Sequence, residues 1–95
     1  GFGEIIKYSI SAHITVYAGP SFSVVEDAAN DAIKTYTNER HAMGELVAIS
    51  GVYQALHVNG VKKVQLDQPL QDIETTKLQA AYCEKISLTM EIFNE

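Results

Sequence analysis

The sequence predicts an α+β fold, a two-layer sandwich of β-α-α-β-β order with two helices packed on one face of a small mixed sheet. Three observations predict it. Residues 6–18 alternate apolar and polar without a break, which marks a strand with one covered and one wet face. From residue 21 to residue 58 the apolar positions recur at helical spacing in two blocks, with Gly44 between them. Alternation then returns around residues 63–67 and again over 82–92. One apolar face per strand and one apolar stripe per helix are most economically buried by laying the helices on one side of the sheet.

In the first strand Ile6, Tyr8, Ile10, Ala12, Ile14, Val16 and Ala18 share one face, and Lys7, Ser9, Ser11, His13, Thr15 and Tyr17 the other. It is long for a strand, so its first half is expected to reach outside the domain or to pair with a neighbour. Gly19-Pro20 ends it. Ser21 or Ser23 then opens a helix. Ser23 with Glu26 has capping-box spacing, and Glu26 and Asp27 suit the positive helix start. Val25, Ala29, Ala32, Ile33 and Tyr36 form the apolar stripe, continued by Met43. Arg40 and His41 occupy the last turn, and Gly44 stops the helix.

Leu46 to Ile49 reads as a short extended piece. Ser50 is expected to cap a second helix that runs to about Val58, with Val52, Ala55 and Leu56 inward and Asn59-Gly60 closing it. Val64 and Leu66 alternate with Lys63, Gln65 and Asp67 in a second strand. Residues 67–81 form a long connection in which Pro69, Leu70, Ile73 and Leu78 are expected to pack as a covering flap. In the third strand Tyr82, Ile86, Leu88, Met90 and Ile92 alternate with Lys85, Ser87, Thr89 and Glu91. On that count Cys83 sits on the opposite face from Ile86 and Leu88, or at the strand's ragged start.

A chain of 95 residues, 46% of them hydrophobic and 20% charged, has the make-up of one globular domain. Residues 6–95 are assigned to it and residues 1–5 to a linker or remnant. Because the first residue is Gly1 and not methionine, the chain is expected to be a piece of something longer. The net charge is −5 and the seven Lys and Arg are scattered. A direct nucleic-acid partner would need a clustered basic face, so none is expected. With Cys83 the lone cysteine, an internal disulfide or thiolate cluster cannot form, which fits a reducing cytoplasm. No apolar run approaches the ~18 residues of a membrane span, so membrane insertion is not expected.

Candidate chemistry is sparse. His41 and His57 have no second ligand at the i+3 or i+4 spacing of helical zinc sites, and both read as helix-end residues. Cys83 with His13 or His57 would make a nucleophile and base, but no third orienting group accompanies them. Asp67, Asp72 and Glu74 lack the one-three-five order of a calcium loop. Gly44, Gly51 and Gly60 form no phosphate loop. No catalytic residue, metal or cofactor is therefore assigned. The better candidate is the open sheet face, represented by His13, Thr15, Tyr17, Lys63, Gln65, Ser87 and Thr89, as a surface that docks another protein; an exposed strand edge could also add a partner's strand. The plainer alternative is an ordinary wet face.

The run from Tyr17 to Met90 resembles the C-terminal domain of the baseplate assembly protein J-like family of contractile-tailed phages. The likeness rests on the strand ending in Gly19-Pro20, the long helix ending at Gly44, and V-x-x-S-x-x-x-x-A-L from Val47 to Leu56. It continues through GV-x-x-V-x-L from Gly60 to Leu66, P-x-x-DI from Pro69 to Ile73, and A-x-C-x-x-I-x-L from Ala81 to Leu88. These are packing and turn residues, and they cover the chain from about residue 8 to residue 92. The resemblance implies a structural virion protein of the tail baseplate, assembled in the bacterial host cytoplasm, without catalytic residues. It implies other baseplate or tail proteins and sibling copies as partners, and a parent several hundred residues long. The runner-up is a small regulatory ligand-binding domain, which would need a pocket between the helix layer and the long loop. A third possibility is a metal- or thiol-dependent enzyme, in which replacing His57 or Cys83 would abolish activity.

Overall fold

The alternation that opens the chain builds the middle of the sheet. In the computed structural model, which describes residues 3–19 and 21–93, it forms β1 (Glu4–Val16). Two helices follow, α1 (Phe22–Glu39) and α2 (Ile49–Leu56), and then β2 (Val61–Gln68) and β3 (Gln79–Ile92). The strand order is β2-β1-β3, with β2 antiparallel and β3 parallel to β1. The sheet is mixed and the element order β-α-α-β-β, as the sequence predicts.

Strand β1 starts at Glu4, where Glu4 and Ile5 pair with Gln79 and Ala80; these two residues belong to the sheet and not to a linker. Gly1 and Phe2 lie outside the described residues, as does Pro20 of the expected Gly19-Pro20 stop. The ordered strand ends at Val16, so Tyr17 and Ala18 stand beyond it. Tyr8, Ile10, Ala12, Ile14 and Val16 are all buried, which is the inner face the alternation assigns.

Strand β3 departs from simple alternation. Tyr8 pairs with Cys83 but Ser9 pairs with Lys85, so Glu84 is an extra residue, a β-bulge. Because side chains alternate with period two, one extra residue reverses the facing of everything on one side of it. Ala81 and Cys83 therefore turn inward together with Ile86, Leu88 and Met90, while Tyr82 turns outward and is 46% exposed. The placing of Cys83 opposite Ile86 and of Tyr82 beside it is corrected on both counts.

Helix α1 buries Val25, Ala29, Ile33 and Thr37; Ala32 and Tyr36 are half-buried, and Met43 is not part of the stripe at 57% exposure. Ser21 precedes the helix without a side-chain cap bond, so the Ser23–Glu26 capping box does not form. The helix ends at Glu39 with Arg40 as its C-cap, leaving His41 outside the last turn. Gly44 lies beyond in a turn at φ 77°.

Helix α2 buries Val52 and Leu56. Its cap is not Ser50. The Ile49 N–H donates to Asp72 Oδ1 at 2.8 Å, and the Tyr36 hydroxyl holds Ala48 at both ends, accepting from its N–H at 3.0 Å and donating to its C=O at 3.2 Å. Both caps come from residues distant in sequence. The turn into β2 uses Gly60 at φ 95°, a left-handed backbone that costs glycine little.

The connection between β2 and β3 covers the core only in part. Ile73 packs against the core, and its N–H and C=O pair with Val47 at 2.9 and 3.0 Å. Leu70 and Leu78 are 79% and 60% exposed, so neither packs as a flap residue. Val47, between the two helices, is fully buried.

Candidate functional site: the open face of the sheet

With the helices on the inner face, the outer face is built from the odd-numbered residues of β1 and their neighbours. The register sets His13 between Gln65 and Thr89, Thr15 between Lys63 and Glu91, and Ser11 between Gln68 and Ser87. Six of the seven candidate residues thus share one polar face. Tyr17 stands past the end of β1, 50% exposed, its N–H donating to the Gly60 carbonyl at 2.9 Å.

One side-chain contact organises this face. His13 Nε2 lies 3.2 Å from Asp67 Oδ2, and Asp67 is the extra residue where β2 slips register between Leu66 and Gln68. Both side chains stay partly exposed, so the pair orients the imidazole more than it stabilises the fold. Near Tyr17, Lys62 sits over the Phe93 ring, 4.4 Å from its centroid, at the second slip of β2.

The other half of the outer face carries an apolar patch around Lys7, which the sequence reading missed. Ile5, 51% exposed, lies opposite Ala80, which Met43 also bridges; exposed Tyr82 follows two residues on, opposite Lys7, and exposed Leu78 adjoins Glu4. The sequence conceals this patch because residues 1–5 read as a linker and simple alternation assigns Tyr82 to the buried face. The alternation of Ile5 with Lys7 and Ser9 was the available signal.

None of the reactive side chains converges on a centre. His41 donates through Nδ1 to the Ala81 carbonyl at 2.9 Å and meets the Tyr82 ring edge-on, 5.3 Å between centroids. His57 caps α2. Cys83 is half-buried and donates to the Lys85 carbonyl at 3.4 Å; burial outweighs the opposing effect of that bond and pushes its thiol pKa up, away from the thiolate a nucleophile needs. Burial likewise raises the Tyr8 hydroxyl well above the usual phenol range, helped by Cys83 and Tyr36. That hydroxyl is enclosed without a hydrogen-bond partner. Asp72 is spent on α2 and Asp67 on His13, and among the described residues no group of three or more His, Cys, Asp or Glu stands together to hold a metal.

Among the described residues two open grooves can be traced. One runs between Lys7, Ser9 and Glu84 and the turn at Gln68, Pro69 and Leu70. The other runs between the helices, past Asp31, Thr35, Arg40 and Gln54. The long loop is tied to the segment between the helices by the Val47–Ile73 pairing. Among the described residues no helix is long and apolar enough to cross a membrane.

Comparison with known families matches residues 8–89 to the baseplate J-like protein C-terminal domain. Baseplate protein J of Escherichia phage P2 is 37% identical over 79 residues, which cover 83% of this chain and 26% of the relative. The chain therefore spans about a quarter of the length of that relative.

Proposed function

We propose, proceeding from the fact that the chain belongs to the family of baseplate J-like protein C-terminal domains, that it is a structural component of a phage tail baseplate and acts there by binding other proteins. It works as a passive module: one sheet face is committed to its own core, and the other is free to meet a neighbour. The observation that carries this is the gathering of His13, Thr15, Lys63, Gln65, Ser87 and Thr89 on that free face. A rigid sheet holds such short polar side chains in fixed register, so little conformational entropy is lost when a partner covers them. The partners are other baseplate or tail proteins and sibling copies, in the virion tail after assembly in the bacterial host. A net charge of −5 favours protein over nucleic acid as the direct partner. No catalytic step is assigned.

The test is binding of this chain to purified baseplate and tail proteins of the same phage, measured by biolayer interferometry. Replacing Thr15, Gln65 and Thr89 together by alanine should weaken binding at least tenfold and leave stability within about 0.5 kcal/mol, as usual for surface positions. Unchanged binding by a folded triple variant would move the interface off this face.

A further inference from the structure

We propose that the first half of β1 is a pairing edge for a second copy of this chain, the two strands lying antiparallel about a two-fold axis at Ile6. The direction of each backbone group carries the argument. The Tyr17 N–H points to the β2 side, where it reaches the Gly60 carbonyl, whereas the Glu4 N–H and Val16 C=O point to the β3 side, reaching Leu78 and Phe93. Strand β1 itself is regular, since every register slip falls on an extra residue of β2 or β3. Strict alternation then turns the N–H and C=O of Ile5, Lys7 and Ser9 towards the β2 side. Strand β2 pairs with β1 no further back than Ser11, at Gln68. These donors and acceptors therefore face outward in a row, the template on which a strand is added.

The same edge of a second copy is a matching occupant. Antiparallel pairing is isologous, so one edge complements itself and the assembly closes at two. Placing the axis at Ile6 sets Ile5 opposite Lys7 in two reciprocal bonded pairs, each able to exchange two backbone hydrogen bonds. It also sets Ile6 against Ile6. An axis at Lys7 would instead oppose two ammonium groups, which cross-strand pairing disfavours. In the Ile6 register the aliphatic stem of Lys7 lies along the partner's exposed Ile5, and the apolar patch continues across the axis. Opposed residues share a face in antiparallel strands, so both helix layers stay on one side of a single continuous sheet.

This deepens the reading of the domain as an assembly module by naming how copies meet, and it rests on that reading only for its biological setting. The test is sedimentation equilibrium of this chain from about 10 μM to about 1 mM, the range suited to small interfaces. A monomer–dimer equilibrium is expected. Ile5→Lys, which opposes Lys7 of the other copy, should raise the half-association concentration at least tenfold with the circular dichroism unchanged. Lys7→Pro, which removes an N–H with no hydrogen-bond acceptor among the described residues, should do the same. In a Cys83→Ser background, Ile6→Cys should oxidise to a cross-linked dimer, since facing Cα atoms at a non-bonded pair fit disulfide geometry, while Thr15→Cys should not. A chain that stays monomeric throughout, with no Ile6→Cys dimer, would overturn the edge pairing and leave binding through the polar face to its own experiment.

Discussion

Replacing Gly51 by alanine tests how the two helices are joined. Gly51 lies inside α2, and alanine is normally worth about 1 kcal/mol over glycine at an interior helical position. Here the added Cβ would fall 2.6 Å from Tyr36 Cζ and 2.7 Å from Cε1, and on top of the hydroxyl. Carbon contacts settle at about 3.5–4.0 Å, so the ring must move by about 1 Å. The far end of that ring is what grips the Ala48 backbone in this corner, and both its hydrogen bonds to Ala48 would stretch or break. Overpacking of this kind costs about 1–3 kcal/mol and each lost bond about 1 kcal/mol. Set against the propensity gain, a net loss of about 1–3 kcal/mol is expected. Urea unfolding followed by circular dichroism would report it as a lower midpoint at unchanged m-value. A cycle with Tyr36→Phe refines the reading: with the hydroxyl already gone, Gly51→Ala should cost about 1 kcal/mol less than in the parent. A Gly51→Ala variant stabilised by the bare propensity gain would refute the contact.

Three further perturbations probe the frame. Asp72→Ala removes the acceptor for the first N–H of α2 and should cost about 0.5–2 kcal/mol, whereas Ser50→Ala, at the position the sequence suggested as cap, should change stability by less than about 0.5 kcal/mol; parallel thermal melts would separate them. Burial favours neutral Tyr8 in the folded state, while an unfolded tyrosine ionises near pH 10. Above that pH the unfolded state holds fewer protons, so stability should fall by up to about 1.4 kcal/mol per pH unit. Tyr8→Phe should remove that part of the alkaline slope in urea titrations between pH 9 and about 12, and an identical slope in the variant would count against the buried hydroxyl. Ile14→Ala, in the middle of β1 and fully buried, should cost about 2–5 kcal/mol by unfolding titration, enough to leave much of the chain unfolded at 37 °C.

The sequence and the folded chain agree where a signal is local and repeated. The even-numbered face of β1 and the Val25–Ala29–Ile33 stripe of α1 were legible because period alone assigns them. The capping of α2 was not, since its acceptor is Asp72, far along the chain, and no rule of neighbouring residues reaches it. Nor was the bulge at Glu84: nothing near it marks an extra residue, and it reversed the facing of Tyr82 and Cys83. The polar face was legible through His13, Thr15, Gln65 and Thr89, each alternating with a core residue. Its apolar patch was not, because Ile5 and Tyr82 look like core residues until the register is known.

The parallel pairing of β1 with β3 has a mechanical consequence. The chain enters at the start of β1 and leaves at the end of β3, and because the strands run the same way these points lie at opposite ends of the ladder. Tension between the two ends of the domain would slide one strand along the other, so the bonds from Glu4–Gln79 to Val16–Ile92 would share the load and yield together. Antiparallel terminal strands would instead open one bond at a time, like a zip. A part pulled through its chain ends would hold its shape under force until the whole ladder gave way at once.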